Sequence, residues 1–198
     1  MRHNYPLFQS HLDVAHNQWK ALVCPGDTII DATCGNGHDS LILSQVALTP
    51  SSGQLFAIDV QNRAIHNTRE LLQKALSVEV FDRIVFIEGC HSSFPAEIPL
   101  GTVKLITYNL GYLPGGNKAL TTRRTTTLKS IVKALELLIA GGIISITCYP
   151  GHEEGKKEEE ELLIFFGKLD PRIWQCTHQR WLNRRESPSH LLIQKGLG

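Results

Sequence analysis

The stretch from Ile29 to Leu41, Ile-Ile-Asp-Ala-Thr-Cys-Gly-Asn-Gly-His-Asp-Ser-Leu, constrains the fold of this chain more than any other. Two β-branched residues lead into an acid. A glycine-bearing turn follows, then an apolar helical pattern at Leu41, Ile42 and Val46. That order is strand, loop, helix, the opening of a nucleotide-type βαβ unit. Gly35 and Gly37 can adopt positive φ and carry no Cβ, so a ligand can lie close against the backbone. The helix predicted to start near Asp39 offers unpaired N–H groups toward that ligand. A dinucleotide loop needs a third glycine where this chain has Ser40, and a P-loop needs a lysine that is absent. From the loop alone, a tight strand–helix turn without a ligand stands beside these readings.

Asp31, at the end of the first strand, suits a cationic amine such as the methionine ammonium of S-adenosylmethionine (SAM). The second strand, Gln54 to Val60, is a nearly continuous apolar run ending at Asp59, as expected of a buried parallel strand. An acid about twenty residues beyond a glycine loop can accept both ribose hydroxyls of an adenosine. Gln61 follows and can reach the ribose or the adenine edge.

The remaining pattern continues the alternation. Residues 1–25 predict a helical lead-in of about three turns that packs on the sheet or covers the ligand. Its His3, His11 and His16 have no metal-site spacing. Helices are expected over Asn62 to Ser77, Thr126 to Leu138 and Lys156 to Phe166, with Glu158 to Glu161 a solvated first turn. Strands are expected at Arg83 to Glu88, Val103 to Tyr108, Ile143 to Tyr149, Trp174 to Gln179 and His190 to Gln194. Cys90 and His91 follow the third strand, at the edge where ligands of open α/β sheets collect.

The fourth strand runs into Asn109-Leu110-Gly111-Tyr112-Leu113-Pro114-Gly115-Gly116. An amine nucleophile must present its lone pair along the S–CH₃ axis. The Asn109 side-chain oxygen and the Leu110 carbonyl can accept its N–H bonds and aim it, and Tyr112 can stack on a base. Without a ligand, the same residues read as a glycine-rich connection with an exposed Tyr. The loop from Arg180 to Pro188 holds Trp181, Arg184 and Arg185, which suits either RNA or a second copy of the chain.

A 198-residue chain of near-zero net charge fits one domain, not an unselective duplex-coating protein. Five scattered cysteines without a C-x-x-C favour reduced thiols in a cytosol. The sequence predicts no membrane span and no metal site.

Taken in order, the glycine stretch, Asp59-Val60-Gln61, the Asn109 element, the Thr-rich stretch after it and Tyr149-Pro150-Gly151-His152-Glu153-Glu154-Gly155 resemble the bacterial rRNA methylase family of class I SAM-dependent enzymes. The likeness covers Val23 to Lys195. Some members of that family methylate the aminomethyl group of 5-aminomethyl-2-thiouridine at the tRNA wobble position. The resemblance implies a Rossmann-like α/β fold, with a seven-stranded, mostly parallel sheet and helices on both faces. It implies that Asp31, Gly35, Asn36, Gly37 and Asp39 hold the methionine end of SAM. Asp59 and Gln61 would hold ribose and adenine, with Cys90 and His91 where the family has Ser-His. Asn109 and Tyr112 would orient the target amine. Leu110, Gly111, His152, Asn183, Arg184 and Arg185 are assigned to the substrate. The last three belong to a Leu182-Asn183…Pro188 element, similar to the family's L-N-x-x-x-x-P.

The expected activity is therefore SAM-dependent methylation of an aminomethyl group on wobble uridine, with the tRNA anticodon region as partner, in the cytoplasm. A homodimer is compatible with it. The rivals are methylation of rRNA or of a small amine, and an inactive nucleotide-binding module. An NAD oxidoreductase is weaker, for want of the third glycine.

Overall fold

The computed structural model describes residues 9–111, 121–184 and 186–198. Tyr112 and Arg185 lie outside the described residues. The lead-in helix α1 (His11–Leu22) opens with a capping box, in which Ser10 and Asp13 each bond the other's backbone N–H. Then follow β1 (Thr28–Asp31), α2 (His38–Ala47), β2 (Gln54–Asp59), α3 (Asn62–Ala75), a one-turn α4 (Val78–Phe81) and β3 (Ile84–Glu88). The second half holds β4 (Val103–Asn109), α5 (Arg124–Leu137), β5 (Leu138–Cys148), α6 (Glu153–Phe166), β6 (Trp174–Gln179) and β7 (Ser189–Lys195).

The strands form one seven-stranded sheet in the order β3-β2-β1-β4-β5-β7-β6. β1 to β5 are parallel, and β7 runs antiparallel to both β5 and β6. Alternating side chains divide the core between the two faces, as the pleat requires. Ile29, Leu55 and Leu105 pack with Trp19, Leu43 and Leu72 of α1, α2 and α3. Ile30, Phe56 and Ile106 pack with Ile131 of α5 and Leu162 and Phe166 of α6. The expected fold, with helices on both faces, is the one observed.

Several boundaries differ from the sequence reading, and α5 opens at Arg124 rather than Thr126. The Asn62–Ser77 helix ends at Ala75, because Leu76 turns extended and Ser77 precedes α4. β5 starts at Leu138 rather than Ile143. Val103 pairs with Leu138 and Leu105 with Ile143, so Ala140–Gly142 form a bulge within the strand. α6 starts at Glu153, three residues early, because the His152 imidazole caps it through Nδ1.

Its acidic run is solvated only in part, with Glu160 exposed and Glu158 and Glu159 turned inward. Glu158 is only 2% exposed and accepts hydrogen bonds from Thr127 (2.5 Å) and Thr122 (2.8 Å). Glu159 faces His178 and Ser189. Burial raises the Glu158 pKa, against those two hydrogen bonds.

Candidate active site

Parallel pairing brings the carboxyl ends of β1, β2 and β4 to one edge, with Asp31 beside Ala57 and Thr107, and Asn109 beside Thr147. Ligands of open α/β sheets bind outside such an edge, where the strand order reverses. Here that is the gap between β1 and β4.

The glycine loop is pinned on every side. Cys34 N–H donates to Ile58 O, and Gly35 N–H to an Asp59 carboxylate oxygen at 3.0 Å. Thr68 of α3 donates its hydroxyl to Gly35 O. Gly35 and Gly37 have φ of 54° and 84°, in the left-handed region. A Cβ on Gly37 would lie 2.9 Å from Thr68 Cα. That glycine is therefore required by the approach of α3 as well as by any ligand.

The assigned cofactor residues separate into two groups. Asp59 is partly exposed, and its two oxygens accept from Gly35 N–H and from Gln61 N–H at 2.9 Å. Each oxygen retains a lone pair, which suits the two hydroxyls of a ribose. Burial raises its pKa, with the backbone hydrogen bonds opposing. Gln61 caps α3 beside it.

Asp31, expected at the methionine end of SAM, lies behind the loop. It has no exposed surface, and its oxygens accept from Ser40 Oγ at 2.5 Å and Thr33 N–H at 3.3 Å. These bonds fasten the loop to α2 from behind. Burial first, then the Asp39 charge, push its pKa up to about 7. Asn36 turns toward α3, accepting from Asn67.

Cys90 is exposed, whereas His91 is 8% exposed. The His91 ring packs edge-on against Tyr108, and its Nε2 meets Thr127 at 3.3 Å. Burial lowers its pKa to about 4. Its side chain thus supports the loop from inside.

On the acceptor side, Asn109 is fixed at both ends. Its backbone N–H donates to Thr33 Oγ1 at 2.7 Å, and its Nδ2 donates to Asp39 Oδ2 at 2.5 Å. The remaining atom, Oδ1, is buried and has no partner among the described residues. Asp39 Oδ1 meets His16 Nε2 of α1 at 2.7 Å. Asp39, expected with the methionine end, stands instead between α1 and Asn109.

Beside this ladder, Tyr149 OH lies 3.4 Å from His11 Nε2, with the rings edge to face. Burial, then the charge of Asp39, push Tyr149 up to about 12. His11 and His16, for which the sequence offered no metal-site spacing, and Tyr149, given no individual role there, belong to this edge.

The substrate assignments fare unevenly. Leu110 is buried in the core, and its N–H extends the β4–β5 ladder to Thr147 O. Gly111 O accepts from Thr122 N–H, closing the base of the intervening segment. His152 caps α6 through Nδ1, which accepts from Gly155 N–H at 3.0 Å. Asn183 and Arg184 are exposed, and the Arg184 guanidinium lies 5.1 Å from the Trp181 ring centroid. Cys148 pairs with Ser189, so this loop adjoins the same edge of the sheet as Asn109. Of the other arginines, Arg124 is paired with Glu161 at 2.5 Å, while Arg123 and Arg180 are exposed. Among the described residues no group of His, Cys, Asp and Glu could hold a metal ion, and no helix is long and apolar enough to cross a membrane.

Residues 55–195 match the family described as "Putative rRNA methylase". The chain belongs to this methyltransferase family. It is 37% identical over 180 residues to the chloroplastic tRNA (mnm(5)s(2)U34)-methyltransferase of Arabidopsis thaliana. That match takes in 89% of this chain and 66% of the relative, so the chain spans just under two thirds of the relative's length. A solved "putative rRNA-methylase" from Clostridium thermocellum is 34% identical, with a TM-score of 0.88 over 95% of this chain and 98% of that one. A "putative methyltransferase" from Streptococcus mutans, solved in complex with SAH, is 28% identical, with a TM-score of 0.82 over 95% and 99%. The Rossmann-like methyltransferase fold expected from the sequence is thus established, and the oxidoreductase rival loses its ground.

Proposed function

We propose that this protein methylates the 5-aminomethyl group of (2-thio)uridine at the wobble position of tRNA, using SAM. The observation that carries the reading is the buried Asn109 Oδ1, an acceptor with no partner among the described residues, on an amide whose nitrogen is committed to Asp39. An amine N–H is the donor such an atom needs. The name of the Arabidopsis relative supports the same substrate.

The chain's residues fit the cofactor. The Asp59 oxygens have capacity for the ribose hydroxyls, and the Gly35–Gly37 loop presents backbone to the rest of the molecule. Gln61, Cys90 and the loop at His91 are the adenine side of this reading. SAM supplies an electrophilic methyl carbon on a sulfonium. Asn109 Oδ1 accepts one N–H of the neutral amine and so directs its lone pair toward that carbon. Holding the pair in line is the main contribution the protein makes. As the N–CH₃ bond forms, the S–CH₃ bond would break to leave neutral SAH; the nitrogen gains positive charge, which the Asn109 oxygen and the neighbouring Asp39 carboxylate favour, and the ammonium would then release its proton to solvent. Tyr112 takes the stacking role and Arg185 a phosphate role from their places in the motifs. Asn183 and Arg184, with Trp181, form the surface for the anticodon stem-loop in preference to a second copy of the chain. The compartment in this reading is the cytoplasm, with its tRNA pool.

The family's description points to rRNA instead, and the test separates the two. Purified protein and SAM are incubated in parallel with tRNA carrying 5-aminomethyl-2-thiouridine, with undermodified ribosomal RNA and with small primary amines. Nucleoside mass spectrometry should find one added methyl on the wobble nucleoside. A methyl found only on rRNA or only on the free amines overturns the substrate.

A further inference from the structure

We propose that His16 is a positioning residue for methyl transfer, acting through Asp39 to fix which end of the Asn109 amide faces the reacting amine. The inference rests on the amine-methylating reading given above.

An Asn side chain presents an oxygen and a nitrogen of nearly equal shape, so partners decide its orientation. An ionised carboxylate only accepts hydrogen bonds. With Asp39 Oδ2 2.5 Å from one end of the amide, that end must be nitrogen, and the oxygen is left for the amine. The orientation therefore depends on where the Asp39 carboxylate points.

His16 sets that direction. Its Nε2 lies 2.7 Å from Asp39 Oδ1, and since the carboxylate accepts, Nε2 carries the proton. The imidazole is itself held. Its ring packs on Trp19 at 4.9 Å between centroids. Trp19 is buried, and its indole N–H donates to Ser145 Oγ at 2.9 Å. Ser145 Oγ is also 2.8 Å from His190 Nε2 on β7. A side chain from the lead-in helix is thus referenced to the centre of the sheet. It delivers that position to Asn109 through one shared carboxylate.

The test compares His16→Phe with His16→Gln. Phe keeps a ring against Trp19 and removes the donor, whereas Gln supplies an N–H of similar reach that does not titrate. Single-turnover methyl transfer should fall about 10- to 100-fold in His16→Phe, the scale of a misplaced reacting group. The SAH dissociation constant, measured by calorimetry, should stay within about two-fold, and His16→Gln should recover to within about three-fold of the parent rate. A His16→Phe rate equal to the parent's overturns the proposal. So does a loss that His16→Gln fails to restore.

A second readout needs no substrate. The Asn109 side-chain NH₂ signals, identified by their loss in Asn109→Ala, should exchange slowly with solvent in the parent and in His16→Gln, and faster in His16→Phe. Equal exchange in all three overturns the role of His16. A parent protein that methylates none of the RNAs overturns the substrate reading instead, and leaves this exchange comparison to decide for His16.

Discussion

The two halves of the ligand edge are built differently. The cofactor half is a backbone construction. The loop between β1 and α2 is held largely through N–H and C=O groups of residues 34–37, which meet Ile58, Asp59 and Thr68, with Asn67 bonding the Asn36 side chain. The half proposed for the methyl acceptor is a relay of side chains. His16, Asp39 and Asn109 come from α1, α2 and the tip of β4, separated by 23 and 70 residues. A backbone site is fixed by the conformation of a few adjacent residues. A side-chain relay exists only once three distant elements have packed.

That difference governs what the sequence reveals. The glycine loop, Asp59 and the Asn109 element stand in short motifs and are legible there. So is the sheet, because each strand is an apolar run bounded by turn residues. His16 carries no local mark, since its partner lies 23 residues away on another helix. Asp31 shows the limit of such a motif: its place suggests a ligand, and the motif does not reveal that Thr33 of the loop and Ser40 of α2 bond its oxygens. Glu158 was hidden by its charged neighbours. The spacing Gly155, Glu158, Leu162, Phe166 was nevertheless the buried stripe of α6, at three to four residues per step.

The comparison can be broken first at the loop. Gly37→Ala forces a side chain into the left-handed region and against the Thr68 backbone. The expected cost is about 2–5 kcal/mol of folding stability, read by urea denaturation. A loss below about 0.5 kcal/mol would mean that α3 does not constrain the loop as described.

Asp31 sharpens it next. Its folded pKa of about 7 exceeds the ordinary 3.8, so the folded chain holds a proton that the unfolded chain releases between those values. The stability that Asp31 contributes is complete below pH 3.8 and is lost as pH rises through 7. Asp31→Asn should therefore gain on the parent by about 1–4 kcal/mol between pH 4 and pH 8. Parallel stability profiles would show that Asp31 is not a buried acid.

The smallest effect belongs to the exposed loop. Arg184→Ala should raise KM for tRNA by about 2- to 5-fold, lower the salt dependence of binding by about one ion, and leave the SAH affinity unchanged. Unchanged tRNA binding would remove this loop from the acceptor half.

The most direct test of the two-halves account is one paired measurement, of saturated single-turnover methyl transfer and of SAH affinity, in Asn109→Ala and Asp59→Ala. Asn109→Ala should lose roughly 100-fold in rate while binding SAH normally. Asp59→Ala should bind SAH about 10- to 100-fold more weakly and keep most of its rate at saturating SAM. Two variants that lose rate and affinity in the same proportion would contradict it, because the cofactor and acceptor halves would then be one site.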